Sequence, residues 1–138
     1  MEAKSVYNIN GKLEVKWLPE VKAIIDKWQD YSVTLEEFQT AIMDKGLNYS
    51  KFSNGIAWIA DSSEAKGVFS KDIQDFINSN VFPAFSKSGI KYFITIKPKN
   101  SLTGLTVRKY SEKVGPNGIK LVETESLNEA LNFLKNNN

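Results

Sequence analysis

The chain has 138 residues, of which 41% are hydrophobic and 25% are charged, and this composition is typical of one globular domain. It has no cysteine and no histidine, which excludes disulfides, thiolate metal sites, cysteine nucleophiles and histidine-based catalytic triads. The formal net charge is only +2, and Arg108 is the single arginine, whereas nucleic-acid readers usually cluster basic residues and use arginine forks. We therefore expect no metal, no cofactor and no bound nucleic acid.

The first two predicted strands form an antiparallel hairpin. Hydrophobic and charged residues alternate from Lys12 to Leu18, which is the period of a half-buried strand. The segment from Val21 to Trp28 is rich in β-branched and aromatic residues and follows after a short break. Lys22 and Asp26 are expected to give this second strand one solvent-facing side.

The first predicted helix runs from about Leu35 toward Lys51. Thr34 and Glu37 have the spacing of a capping box, and apolar residues then recur at helical intervals. Gly46 lies inside this segment, where glycine costs about 1 kcal/mol relative to alanine. The helix is therefore expected either to run through Gly46 or to stop there and restart as a looser turn.

A central strand and a second helix come next. The run from Gly55 to Ala60 is apolar without alternation, as expected for a strand covered on both faces. Ser70 is placed to cap a helix that begins at Lys71. Pro83 lacks the backbone donor that a helix needs, so we expect a kink or a break near Val81.

The last third of the chain alternates strands and helices. Ile90 to Ile96 is a predicted strand, Leu102 to Val114 a predicted helix, and Ile119 to Val122 a short strand. Ser126 and Glu129 form a second capping box and open a final helix.

The resulting order, β-β-α-β-α-β-α-β-α, defines an α/β class. It predicts a mixed, largely parallel five-stranded sheet with an N-terminal antiparallel hairpin and about four helices. We find no repeat and no linker, so residues 1–138 are expected to form one domain with an ordered core of about 5–135.

The candidate site lies where the strands end. In open α/β sheets, ligands bind outside the carboxyl ends of the parallel strands. The loops at that edge are expected to bring together six polar side chains: Asp61, Ser62, Ser63, Lys97, Lys99 and Asn100. The alternative is that these loop residues only satisfy nearby backbone groups.

The aromatic residues allow a second kind of site. Ligand pockets are mostly apolar with a few polar anchors, so these side chains could line a cavity for an apolar molecule. The alternative is that they fill an ordinary core. The residues concerned are Trp17, Trp28, Tyr31, Tyr49, Trp58, Phe69, Phe76, Phe82, Phe85 and Phe93.

Landmarks spread over residues 12 to 135 resemble the SpoIIAA-like, or STAS-like, domains of bacteria. They are Asp26-Lys27-Trp28, Trp58-Ile59-Ala60-Asp61, Asn80-Val81-Phe82-Pro83 ahead of Gly89, and Ser126-Leu127-Asn128-Glu129-Ala130-Leu131. The resemblance implies a small cytoplasmic domain that is related in fold to anti-sigma factor antagonists. In those antagonists a serine after the third-strand aspartate is phosphorylated, which points to Ser62 or Ser63 as phosphoacceptor. The glycine of the family's Asp-x-Ser-Gly loop is absent from this chain.

The sequence thus favours a non-enzymatic, cytoplasmic binding or regulatory module that takes a protein partner or a small ligand. The alternatives are a carrier or sensor of a small apolar ligand and an unusual hydrolase that uses Ser and Lys. No apolar run is long enough to span a bilayer, so no membrane span is expected. The strand from Lys12 to Leu18 is expected to end the sheet and to offer its edge to a weak homodimer.

Overall fold

A computed structural model describes residues 2–98 and 118–137 of the protein. Its centre is a six-stranded sheet in which the strands stand in chain order, from β1 at one edge to β6 at the other. The strands are β1 (Lys4–Ile9), β2 (Leu13–Leu18), β3 (Ala23–Trp28), β4 (Ala57–Asp61), β5 (Tyr92–Ile96) and β6 (Lys120–Thr124). The class is therefore mixed α/β, as the alternating pattern predicts.

The sheet is antiparallel at its beginning and parallel afterwards. β1, β2 and β3 pair antiparallel, and the β2–β3 hairpin confirms the predicted one. β3, β4, β5 and β6 pair parallel, so their carboxyl ends lie at one edge. β4 has two strands or more on each side and is buried along its length, which confirms the central strand predicted from its unbroken apolar run.

The prediction of five strands is wrong because it missed β1. The pairing register of β1 with β2 shifts between Ser5 and Tyr7, which is a bulge that places an extra residue in the strand. Val6, Tyr7 and Ile9 are all partly buried against the core, so alternation is lost and the period-2 signal disappears.

β1 also corrects the predicted dimer edge. It pairs along the whole of β2 from Leu13 to Trp17, so β2 is an interior strand with no free edge to offer a second copy.

Helix α1 covers residues 35–52 without a break. It begins as α-helix over Leu35–Gln39, becomes π-helix over Thr40–Leu47 and ends as α-helix over Asn48–Phe52. The Thr34 hydroxyl accepts the Glu37 N–H at 3.0 Å and the Glu37 carboxylate accepts the Thr34 N–H at 2.8 Å, which confirms the capping box.

Helix α2 covers residues 71–87 and also contains a π-helical segment. It is α-helical over Lys71–Phe76, π-helical over Ile77–Val81 and α-helical over Phe82–Lys87. The expected disturbance near Val81 thus takes the form of π-helix rather than a break, with Pro83 in the first turn of the following α segment. Ser70 occupies the N-cap, but its hydroxyl bonds the Asp72 carboxylate and not a backbone N–H.

Helices α1 and α2 cover one face of the sheet, and α3 (Leu127–Asn137) covers the other. The larger core lies under α1 and α2 and holds most of the aromatic residues. The smaller core joins Ala130 and Leu134 of α3 to Ile25, Ile59 and Ile94 of the sheet. The site described next belongs to the larger core.

The predicted helix from Leu102 to Val114 lies outside the described residues. In the two ranges that are described, no helix is long and apolar enough to cross a membrane.

Candidate functional site

A carboxyl group lies on the inner face of the sheet, beneath α1 and α2. Asp26 belongs to β3, and its neighbours across the sheet are Val15 of β2 and Ala60 of β4. Its side chain is only 5% exposed. The expectation of a solvent-facing Asp26 is wrong, because Asp26 shares its face with Ile24 and Trp28, which are both core residues.

One oxygen of this carboxyl is bonded and the other is not. Trp58 on β4 donates its indole N–H to Oδ2 of Asp26 at 2.9 Å. Oδ1 is buried and has no hydrogen-bond partner among the described residues. A buried polar atom without a partner lowers the stability of the fold by about 1–3 kcal/mol, so the presence of this oxygen in the core needs a physical explanation.

Burial governs the proton affinity of Asp26. The pKa of this carboxyl is raised from 3.8 to about 8, chiefly because burial deprives the charged form of its hydration. The hydrogen bond from Trp58 and the nearby Trp28 indole, which completes no hydrogen bond to either oxygen, favour the charged form and lower the pKa by less than burial raises it, and the charge of Asp61 raises it further. At pH 7 the carboxyl therefore holds a proton for most of the time.

Asp26 lines a small internal cavity of about 30 Å³. Such a space admits one or two waters, or a group of two or three heavy atoms. The other lining residues are apolar or aromatic and all are buried: Trp28, Phe38, Ile42, Trp58, Ala60, Phe69, Ile77, Val81, Phe82, Phe85 and Phe93. Among these described residues Asp26 is the only one with a titratable side chain.

On the sheet side of the cavity, a small residue of β4, Ala60, lies close to a large one, Trp58. Ala60 stands next to Asp26 on β4 and leaves free the volume that a larger side chain would fill. Trp58 is held in place by the Phe85 ring, whose centroid lies 4.5 Å from its own. The cavity therefore has fixed aromatic walls and space at the carboxyl.

The helical side of the cavity includes both π-helical segments. Ile42 lies in the π segment of α1, and Ile77 and Val81 lie in that of α2. π-Helical turns are rare and occur frequently at functional sites. Their coincidence at one cavity is an observation independent of Asp26.

The structure brings together part of the predicted strand-end cluster. Asp61 ends β4, and its Oδ1 accepts the Ser63 N–H at 3.0 Å and the Ser63 hydroxyl at 2.7 Å. Ser62 follows directly and donates its N–H to the Ile96 carbonyl at 3.4 Å, one residue before Lys97. Lys97 is exposed, and Lys99 and Asn100 lie outside the described residues.

The hydroxyl of Ser62 is not at the surface. It is fully buried and hydrogen-bonded to the Tyr31 hydroxyl. Tyr31 in turn packs its ring against Trp28 and Phe69, whose centroids lie 5.0 and 4.2 Å away. Ser63 is more accessible, so it is the serine of the predicted pair that a kinase reaches more easily. Phosphorylation of either serine stays a prediction.

Sequence reasoning found the aromatic half of the cavity but not its polar anchor. Six of the aromatic residues named as candidates line it: Trp28, Trp58, Phe69, Phe82, Phe85 and Phe93. The signal for Asp26 was available, since it follows three apolar residues in Ala23–Trp28 and lies two residues from both Ile24 and Trp28 on the same face. A charged residue at an inward position of an interior strand marks a buried polar group.

Comparison of the chain with protein-family models, with curated proteins and with solved structures finds no match. The assignment of function therefore depends on the geometry of the site.

Proposed function

We propose that the protein is a non-enzymatic binding module that takes up a small, mostly apolar molecule in the cavity around Asp26. The observation that carries this proposal is the unpartnered Oδ1 of Asp26 inside an otherwise apolar, aromatic cavity. A ligand with one polar group satisfies that oxygen, and its apolar part contacts the rings. This is the composition of small-molecule sites in general, with apolar walls and a few placed polar groups.

The two π-helical segments support the same proposal. Every residue that lines the cavity is buried, so the cavity lies within the core rather than on the surface. The segments Thr40–Leu47 and Ile77–Val81 form part of the helical wall, and π-helical turns occur frequently at functional sites.

The STAS-like assignment belongs to this proposal. Support for it comes from the parallel strands β3 to β6, the two helices on one face and the third helix on the other. A regulatory role fits this fold, since the loop at Ser62 contacts Tyr31 behind the cavity wall. A bacterial origin, a cytoplasmic location and a protein partner stay predictions.

The proposal is tested on protein isolated from the cell that makes it. Native mass spectrometry should show one small molecule per chain, released on denaturation. The matched variant is Ala60→Val, because valine suits a β-strand and adds two carbon atoms beside Asp26. This variant should fold, as judged by circular dichroism, and should carry no ligand. Wild-type protein without bound mass, or a variant that retains it, contradicts the proposal.

A further inference from the structure

The chemistry around Asp26 narrows the class of ligand, and this step rests on the proposed function. We infer that the cavity receives the ammonium group of a small organic amine, with the Asp26 carboxylate as its counter-ion and the surrounding rings as its second contact. The amine's carbon chain is short, since the cavity of about 30 Å³ holds two or three heavy atoms.

The free oxygen of Asp26 sets the first requirement. Oδ2 already accepts a hydrogen bond from the Trp58 indole N–H, so a ligand is expected to hydrogen-bond to Oδ1. An ionised carboxyl accepts hydrogen bonds only, and an ammonium group donates three. A charge-assisted hydrogen bond of this kind is about twice as strong as one between neutral groups. An anionic ligand is excluded, because the described lining residues include no cation to hold it.

The walls set the second requirement. Trp28, Trp58, Phe69, Phe82 and Phe85 line the same cavity as the carboxyl, and a cation near the face of an aromatic ring is attracted by the ring's electron density. Aromatic cages are a recurrent way to bind organic ammonium ions. A neutral alcohol or amide also hydrogen-bonds to Oδ1, but it gains nothing from the rings beyond contact. The combination of one carboxyl and several rings therefore favours a cation.

Binding of this cation is coupled to proton release. The empty site holds its proton at pH 7, because the pKa of Asp26 is raised to about 8 by burial. Formation of the ion pair then requires that the carboxyl O–H bond break and that the proton leave to solvent. Asp61, on the neighbouring strand β4, is the other charged group that acts on this carboxyl, and it raises the pKa of Asp26. Affinity for the ammonium ion should therefore increase with pH up to about 8.

The experiment uses ethylammonium chloride and ethanol, two probes of equal size that differ in charge. The signals followed by NMR are the indole N–H resonances of Trp28 and Trp58, which line the cavity, and of Trp17, which does not. Ethylammonium should shift the first two and not the third, with an apparent affinity that rises up to tenfold from pH 6 to pH 7. Ethanol should bind at least tenfold more weakly than ethylammonium at pH 7, with no dependence on pH.

Two variants accompany the probes. Asp26→Asn keeps the shape of the side chain and should lose at least tenfold in ethylammonium affinity together with the pH dependence. Asp75→Asn removes an exposed carboxylate on α2 and should bind like the wild type. If Asp26→Asn does not fold, the pH dependence of ethylammonium binding to the wild type tests the ammonium inference.

The outcomes separate the two claims. Equal binding of both probes, or ethylammonium binding that is unaffected by pH, overturns the ammonium inference and leaves the proposed function standing. Binding of neither probe also overturns it. The proposed function is then tested independently by native mass spectrometry, which should show a bound mass in the wild type and none in Ala60→Val.

Discussion

Asp26 is the central residue of the site, and its buried carboxyl with a free oxygen lowers the stability of the fold. Isolated burial of this kind is rare in proteins and clusters at functional sites. The alternatives that would make it merely structural are missing from the described residues: no lysine or arginine pairs with it, and its second oxygen has no donor. We therefore interpret Asp26 as a group retained for binding at the expense of stability.

The first prediction is that Asp26→Asn removes a pH dependence of stability. The folded pKa of Asp26 is about 8 and the ordinary value is 3.8, so between these pH values the folded protein binds a proton that the unfolded chain has released. The contribution of Asp26 to the free energy of unfolding is fully present below about pH 4, falls as the pH rises and is lost above about pH 8. The slope approaches 1.4 kcal/mol for each pH unit, the value for about one proton.

Urea unfolding of wild type and Asp26→Asn at pH 5, 6, 7 and 8 measures this effect, since other groups cancel in the difference. The free energy of unfolding of the variant should increase relative to the wild type at each step. A difference that stays constant across the range would show that Asp26 titrates near its ordinary pKa and is hydrated.

At the scale of elements, the contact between α1 and β4 explains why Gly46 lies inside α1, where its low helix propensity alone is unfavourable. A Cβ at Gly46 would lie 2.8 Å from Cη2 of Trp58 and 3.1 Å from the Ala41 carbonyl oxygen. Trp58 is unable to move away, because it is fixed by Phe85 and by its hydrogen bond to Asp26. Gly46 is therefore the residue that lets α1 approach the cavity wall, and the helix continues through it.

The second prediction concerns Gly46→Ala. Overfilling a packed core costs about 1–3 kcal/mol, and the gain of about 1 kcal/mol in helix propensity offsets only part of this cost. We expect a net loss of up to about 2 kcal/mol in the free energy of unfolding, measured by urea denaturation. The loss should shrink when Gly46→Ala is made in a Trp58→Phe background. A stabilised Gly46→Ala variant would mean that α1 stands farther from β4 than described.

Most elements could be predicted because their signals are local. The capping box at Thr34 and Glu37, the alternation in β2 and the apolar run of β4 each reflect a property of a few consecutive residues. β1 has no such signal, since its bulge breaks the alternation. The π-helical segments Thr40–Leu47 and Ile77–Val81 were not predicted either.

At the scale of the whole molecule, the site depends on contacts between distant parts of the chain. The Trp58 indole and the Asp26 carboxyl are 32 residues apart, and the cavity needs β3, β4, α1 and α2 together. Sequence reasoning placed the parallel strands and therefore the polar loop at Asp61 to Ser63. It could not tell that both faces of β3 are covered, and this decides whether Asp26 is a surface acid or the anchor of a cavity.

The central claim is that the cavity beside Asp26 receives a small molecule. The most direct test is xenon under pressure, since this apolar atom enters small cavities in protein cores and needs no hydrogen bond. The account predicts that the indole N–H signals of Trp28 and Trp58 shift in a saturable manner, that the Trp17 signal stays in place, and that Ala60→Val abolishes the shifts. Equal small shifts of all three tryptophans, or shifts that survive in Ala60→Val, would contradict the claim.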